Sequence, residues 1–393
     1  MSSRPSLRPT LRALLLLPAA LALLAVLPCA LLLVTAETAG ARLVAVGGLA
    51  LALVPALALR RLEGRGSGTA GAAAAAVAAL SLGAAAWRAP PGTGGPQASV
   101  RSRYTAEHPY PRLSVANLVP EIDQLEFGSY LMPALDPILD VRGATRVRSL
   151  FLSLYRPMEA DPEYRALGSV MHYAYTDVDS GHLYEYVPPR APGERLPVLL
   201  FLHGSLGNFK AYFYLLRRFA DAERFILVCP SFGIGDWSHD GGVEAVERAR
   251  ALAIGELQGD PARVVLMGLS NGGTGVSRAA ARDPRAYAGL VFLSAVMEPM
   301  VLGSDAFTAG WKGRPVLLIH GAADDRISEP YARRAAALMV ALGVRLTTHV
   351  YPGEDHFLLF SKPDEVLADL KAFVHAAADG EAPIVGGSAG GAR

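Results

Sequence analysis

The chain has 393 residues, with 37 Lys+Arg against 36 Asp+Glu and a formal net charge of +1. Hydrophobic residues make up 51% and charged residues 19%, which excludes a disordered polyelectrolyte and supplies no basic excess for nucleic acid, so no nucleic-acid partner is expected. The two cysteines, Cys29 and Cys229, give neither a disulfide framework nor a cysteine zinc site, and no metal or cofactor is expected.

Residues 1–88 read as a membrane anchor with two or three transmembrane helices. Ala13 to Ala36 contains no charged residue, and a helix of that length, at about 1.5 Å per residue, covers a hydrocarbon core of about 30 Å. Leu43–Leu59 is a second uncharged run, and Thr69–Trp87 is a third, nearly all Ala and Gly with Val77, Leu80 and Leu82. Alanine gains little on insertion, so a soluble Ala-rich helix competes for 69–87. A cleaved signal peptide competes for the first run, with Arg4, Arg8 and Arg12 ahead of it and Val34-Thr35-Ala36 behind. The run exceeds an h-region, however, and a second follows at once. Arginines cluster before the first run and again between the second and third (Arg60, Arg61, Arg65). The positive-inside rule therefore places both segments in the cytoplasm. Three spans then carry everything after Trp87 outside, whereas two leave it in the cytoplasm. The expectation is a lipid-bilayer partner through residues 13–36, 43–59 and 69–87, with the domain that follows extracytoplasmic.

Residues 89–112, with Pro90, Pro91, Gly92, Gly94, Gly95 and Pro96, read as a linker. Residues 113–168 are divided by Pro120, Pro133, Pro137, Pro157 and Pro162 into short pieces. Val147, Leu150, Phe151 and Leu154 recur at i, i+3, i+4, i+7 and predict one helix face, expected to be buried packing rather than a lipid-binding patch. This segment is expected to pack on or near the following domain.

Residues 169–376 alternate strands and helices. Val170–Tyr175 and His182–Val187, separated by Asp177-Val178-Asp179-Ser180-Gly181, read as a hairpin. Segments 197–202, 225–229, 263–267, 290–294, 315–319 and 346–351 read as strands. Helices fit 243–257, 331–342 and 363–376. The alternation predicts an α/β domain with a mostly parallel sheet covered by helices on both faces. Residues 377–393, rich in Gly and Ala, read as a disordered tail.

The chemistry-bearing residues fall at strand ends. Gly268-Leu269-Ser270-Asn271-Gly272 matches G-x-S-x-G, follows the apolar run 264–267 and precedes a helix pattern. A nucleophile elbow turns sharply from strand to helix, so its serine needs small neighbours. A serine nucleophile needs a base, and His356 lies in Gly353-Glu354-Asp355-His356, just past a predicted strand. A carboxylate is available at Asp324 or Asp325, within His320-Gly321-Ala322-Ala323-Asp324-Asp325-Arg326-Ile327. The chain order is then Ser, Asp, His. An oxyanion hole needs two donors, expected from the backbone N–H groups of Asn271 and Ser205. His203 and His320 read as structural hydrogen-bonders, and Trp237 and Glu298 as candidates for the substrate rim.

Together with Leu202-His203-Gly204-Ser205 and Asp260-Pro261-Ala262-Arg263-Val264, these motifs cover about half of the chain. Residues 170–376 resemble an α/β-hydrolase of the esterase or prolyl-oligopeptidase-like branch. The resemblance implies an α/β-hydrolase fold and a triad of Ser270, His356 and Asp324, the first of the two aspartates. The leading expectation is a membrane-anchored serine hydrolase acting on a small-molecule or lipid-like carboxylic ester. A serine peptidase and an acyltransferase use the same triad. A membrane-tethered binding protein on a hydrolase fold is the non-enzymatic alternative, against which the full set of Ser270, Asp324 and His356 argues.

Overall fold

The computed structural model describes residues 8–66, 68–94, 98–176 and 179–379. These divide into two compact units, residues 1–90 with 111–152 and residues 91–110 with 153–393.

The first unit is helical. α1 (Arg8–Thr35), α2 (Ala39–Leu62) and α3 (Gly68–Arg88) contain apolar stretches of 22, 24 and 21 residues, each long enough to cross a membrane. Small residues bring them together: a Cβ added to Gly47 of α2 would fall 2.7 Å from the Cγ of Leu82 in α3. Thr38 caps α2, its Oγ1 accepting the Ala41 N–H at 3.2 Å. Beyond α3 come α4 (Val115–Leu118), α5 (Glu121–Leu135) and α6 (Val141–Ala160). The buried carboxylate of Asp123 accepts the N–H groups of Glu37 and Thr38 at 2.6 and 3.2 Å and the Thr38 hydroxyl at 2.6 Å. Val119 packs with Ala36 and Ala41 at the same turn.

The prolines divide this segment less than their number suggests. Pro133 and Pro157 lie inside α5 and α6, each within the last four residues of its helix. A proline close to a helix end forgoes one backbone bond without breaking the body of the helix.

The second unit is built on one eight-stranded sheet in the order β1-β2-β4-β3-β5-β6-β7-β8. Its strands are β1 (Val100–Arg103), β2 (Leu183–Tyr186), β3 (Val198–Leu202), β4 (Ile226–Pro230), β5 (Val264–Leu269), β6 (Gly289–Leu293), β7 (Pro315–Gly321) and β8 (Arg345–Tyr351). From β4 through β3 to β8 every pairing is parallel, while β1–β2 and β2–β4 are antiparallel. The six inner strands β2 to β7 are buried along their whole length, and β3 to β6 read as unbroken apolar runs for that reason, whereas β2 carries the buried Glu185.

Three expectations need correction. Val170–Tyr175 is not a strand: Met171–Thr176 is a short helix, and the Tyr173 hydroxyl reaches back to the carbonyls of His108 and Pro109 at 3.0 and 2.8 Å. The free edge of β2 pairs instead with β1, in the register Val100↔Tyr186 to Arg103↔Leu183. Residues 89–112 are therefore not wholly a linker, because 91–110 belong to the second unit and supply its edge strand. Arg103 Nε donates to the buried Glu185 carboxylate at 2.5 Å, a bond that helps hold this short polar strand in place. Segment 113–168 likewise divides at Leu152 between the two units. Asp177 and Val178 of the expected turn, and residues 380–393 of the expected tail, lie outside the described residues.

Candidate active site

Ser270 follows β5 and precedes the helix Gly272–Arg282. Its φ of 54° lies in the left-handed region that a non-glycine residue rarely occupies. The surroundings hold it there. Its N–H bonds to the carbonyls of Leu293 and Ser294 at 3.2 and 3.1 Å, and its own carbonyl accepts from Gly273 and Val296 at 3.0 and 2.9 Å. The glycines of the motif have a steric reason. A Cβ on Gly268 would meet the carbonyl carbon of Gly272 at 2.5 Å, and one on Gly272 would meet the Leu202 oxygen at 2.1 Å. Backbone strain of this kind persists only where neighbouring structure over-determines it.

His356 Nε2 lies 3.0 Å from Ser270 Oγ, and its Nδ1 lies 2.8 Å from Asp324 Oδ2. The other oxygen of Asp324 accepts the N–H groups of Arg326 and Ile327 at 2.9 and 2.8 Å. Burial on its own would raise the Asp324 pKa, but the hydrogen bond and charge of His356 together with the Ile327 N–H outweigh it and hold the carboxyl below its usual range. An ionised Asp324 fixes the proton of His356 on Nδ1 and leaves the Nε2 lone pair facing the serine hydroxyl. Asp325 is exposed.

Ser205 lies just past β3, on the loop that begins at Gly204. A Cβ on Gly204 would come within 2.9 Å of the Ser270 Cβ, so this loop passes directly over the serine. Among the described residues neither the Asn271 nor the Ser205 backbone N–H bonds to a protein acceptor. The Asn271 side chain donates to the Ser205 hydroxyl at 2.9 Å and ties the two loops together.

His203 is buried in the neutral form. Its Nδ1–H donates to the Gly204 carbonyl at 2.8 Å and its Nε2 accepts the Phe232 N–H at 3.0 Å, while burial lowers its pKa to about 4. His320 is fully buried, and burial lowers its pKa.

A cleft of about 590 Å³ opens beside Asn271 and Ser205, with Leu206, Ile234, Asp236 and Glu298 among its lining. Leu206 and Ile234 stand exposed on it, and Leu206 holds a φ of 75°. Glu298 is engaged by Arg278 through two bonds of 2.7 and 3.0 Å. Trp237 also borders the cleft, but its indole is fully buried, stacked on Phe232 and donating to the His203 carbonyl at 2.9 Å.

Behind the Ser205 loop is a buried network that no motif signalled. His182 Nε2 lies 2.7 Å from Ser102 Oγ and its Nδ1 lies 2.8 Å from Ser231 Oγ. Asn208 donates to that same Ser231 hydroxyl at 3.0 Å and to the Cys229 carbonyl at 2.9 Å. Burial lowers the His182 pKa to about 3, so it is neutral at ordinary pH. Its partners are 80 and 49 residues away in sequence, beyond the reach of any local pattern.

No family model matches the chain, and no curated protein matches it. Among solved structures, a lipase in its open form is 14% identical with a TM-score of 0.43, over 50% of this chain and 94% of that one. An esterase of the planctomycete Thermogutta terrifontis is 16% identical with a TM-score of 0.40, over 52% and 89% of the two chains. A fluorophosphonate-binding serine hydrolase of Staphylococcus aureus is 13% identical with a TM-score of 0.42, over 49% and 92%. The second unit has the mostly parallel, helix-covered sheet expected of an α/β-hydrolase. Its mostly parallel sheet carries the serine on the strand–helix turn after β5, the aspartate after β7 and the histidine after β8.

Proposed function

We propose that this chain is a membrane-anchored serine hydrolase that cleaves carboxylic esters. The observation carrying the proposal is the continuous chain of hydrogen bonds Ser270–His356–Asp324, at 3.0 and 2.8 Å, on a serine held at a φ of 54°. In the proposed cycle His356 Nε2 takes the hydroxyl proton as Ser270 Oγ bonds to the substrate carbonyl carbon. The N–H groups of Asn271 and Ser205 receive the developing oxyanion. The C–O bond to the alcohol then breaks, with the proton passing from Nε2 to the departing oxygen, and an acyl-Ser270 remains. A water molecule gives a proton to His356 as it attacks the acyl carbon, and Ser270 leaves carrying that proton. Asp324 stays ionised throughout and stabilises the imidazolium.

The cleft suggests how the substrate lies. The departing alcohol oxygen has to reach His356 Nε2, yet no residue of the Asp324 or His356 loops lines the cleft, which borders Asn271 and Ser205 instead. The cleft is therefore assigned to the acyl arm and the open His356 side to the alcohol. Exposed Leu206 and Ile234 make the cleft mouth apolar, which favours acyl chains of several carbons. Anchoring rests on the three apolar helices, and the arginine distribution favours an extracytoplasmic catalytic unit. Purified full-length protein in detergent, given p-nitrophenyl esters and aminoacyl p-nitroanilides, tests the reaction class. Ester turnover with little amide turnover is expected; amide turnover that matches or exceeds it would favour a peptidase.

A further inference from the structure

Outside α1–α3, eleven large apolar side chains of the described residues are exposed, and seven of them lie between Leu113 and Val141. Leu113, Val115, Leu131, Leu135, Ile138 and Val141 are among them, Val115 at 73% and Leu135 at 78% exposure. Scattered exposed leucines need no explanation, but a concentration of this kind on 29 residues does.

The first unit itself shows where this segment sits. Asp123 clamps the turn between α1 and α2, at Glu37 and Thr38, and Val119 packs on Ala36 and Ala41 there. Arg112 Nη2 bonds the Ala89 carbonyl, just past the last residue of α3, at 3.4 Å. Both fastenings are at the same end of the three apolar helices, because α1 finishes and α3 finishes there. That end of a membrane-crossing helix is the level of the lipid headgroups. Trp87, 86% exposed in the last turn of α3, is the residue type that settles at that level. Beside the apolar side chains stand the exposed Arg142 and the half-buried Arg148, the latter 4.3 Å over the ring of Tyr130.

We infer that residues 113–141 lie flat on the bilayer, with Leu131, Leu135, Ile138 and Val141 dipping between the headgroups and the arginines facing lipid phosphates. The inference rests on the reading of α1–α3 as membrane spans. Such a segment makes the anchor wider than its spans and fixes which end of the bundle carries an adsorbed surface.

The test uses the full chain in phosphatidylcholine/phosphatidylglycerol nanodiscs. In a Cys29→Ala background a nitroxide is placed on single cysteines at Val115→Cys, Leu135→Cys, Leu24→Cys within α1, and Met300→Cys, which is 89% exposed in the second unit; Cys229 is fully buried. Collision rates with oxygen and with a water-soluble nickel chelate are then compared. Labels at 115 and 135 are expected to meet the chelate several-fold less often than the label at 300, and at a shallower depth than the label at 24. A chelate rate at 115 and 135 equal to that at 300, with position 24 still in lipid, overturns the adsorbed segment and leaves the spans standing. Aqueous labels at all four positions overturn both.

Discussion

Asp324 Oδ2 lies 2.8 Å from His356 Nδ1, while Asp325, the next residue, is exposed. Asp324 also takes two backbone N–H bonds in its own turn, so its orientation is held independently of His356. The proposed roles follow from that difference. Asp324→Asn should lower kcat for ester hydrolysis by about 10⁴-fold, the scale seen when a triad acid is made neutral, with KM changed little. Asp325→Asn should stay within a few-fold of wild type. Steady-state kinetics of both variants check the ranking.

The cleft assignment predicts a change in chain-length preference. Leu206→Asn keeps a residue that tolerates positive φ while removing apolar surface, and Ile234→Ser does the same across the cleft. Losing contact with about two methylenes, at about 0.8 kcal/mol each, lowers kcat/KM by roughly tenfold. That loss is expected for hexanoyl and octanoyl esters, with acetyl esters almost unaffected. A uniform loss across acyl lengths, or a shift in alcohol preference instead, would move the acyl arm elsewhere.

Two buried histidines predict acid sensitivity. His182 and His203 have folded pKa values lowered to about 3 and about 4. In the unfolded chain each titrates near 6.5. Between those values the unfolded state binds more protons, so stability rises with pH and falls as pH drops below about 6.5. From pH 6.5 to 5 the loss is on the order of 2 kcal/mol for each histidine. Denaturant melts over that range should show a shallower pH slope for His182→Gln than for wild type, even though the variant is less stable at pH 7.

Three spans predict opposite signals from two reporter fusions. Alkaline phosphatase, active only outside the cytoplasm, should be silent when fused after Leu59 and active when fused after Gly95. Silence at both positions would indicate two spans and a cytoplasmic catalytic unit.

Much of the fold was legible because the inner strands are buried on both faces and so read as uninterrupted apolar runs. The strands at 264–269 and 315–321, for example, fall within a few residues of expectation. β1 was not legible, because an edge strand of sequence Val-Arg-Ser-Arg has two charges in four residues and depends on Glu185 of β2 to hold Arg103. The helix at 171–176 was read as a strand because Met-His-Tyr-Ala-Tyr alternates by chance, and tertiary bonds from Tyr173 decide otherwise. At the site, Ser270 and His356 were marked by glycine turns that only one geometry requires. Between Asp324 and Asp325 the residues alone carried no preference, because the choice rests on which side chain faces inward, and only the family resemblance pointed to Asp324. The His182 network was illegible for the same reason: its serines meet only after the sheet is assembled.

The central claim is that Ser270 is the nucleophile, and a fluorophosphonate probe tests it directly. The purified full-length protein is incubated with the probe, digested and mapped by mass spectrometry, beside Ser270→Ala. The account predicts one adduct, on the peptide that carries Ser270, and its loss together with nearly all esterase activity in Ser270→Ala. An adduct on another residue, or wild-type ester turnover by Ser270→Ala, would contradict it.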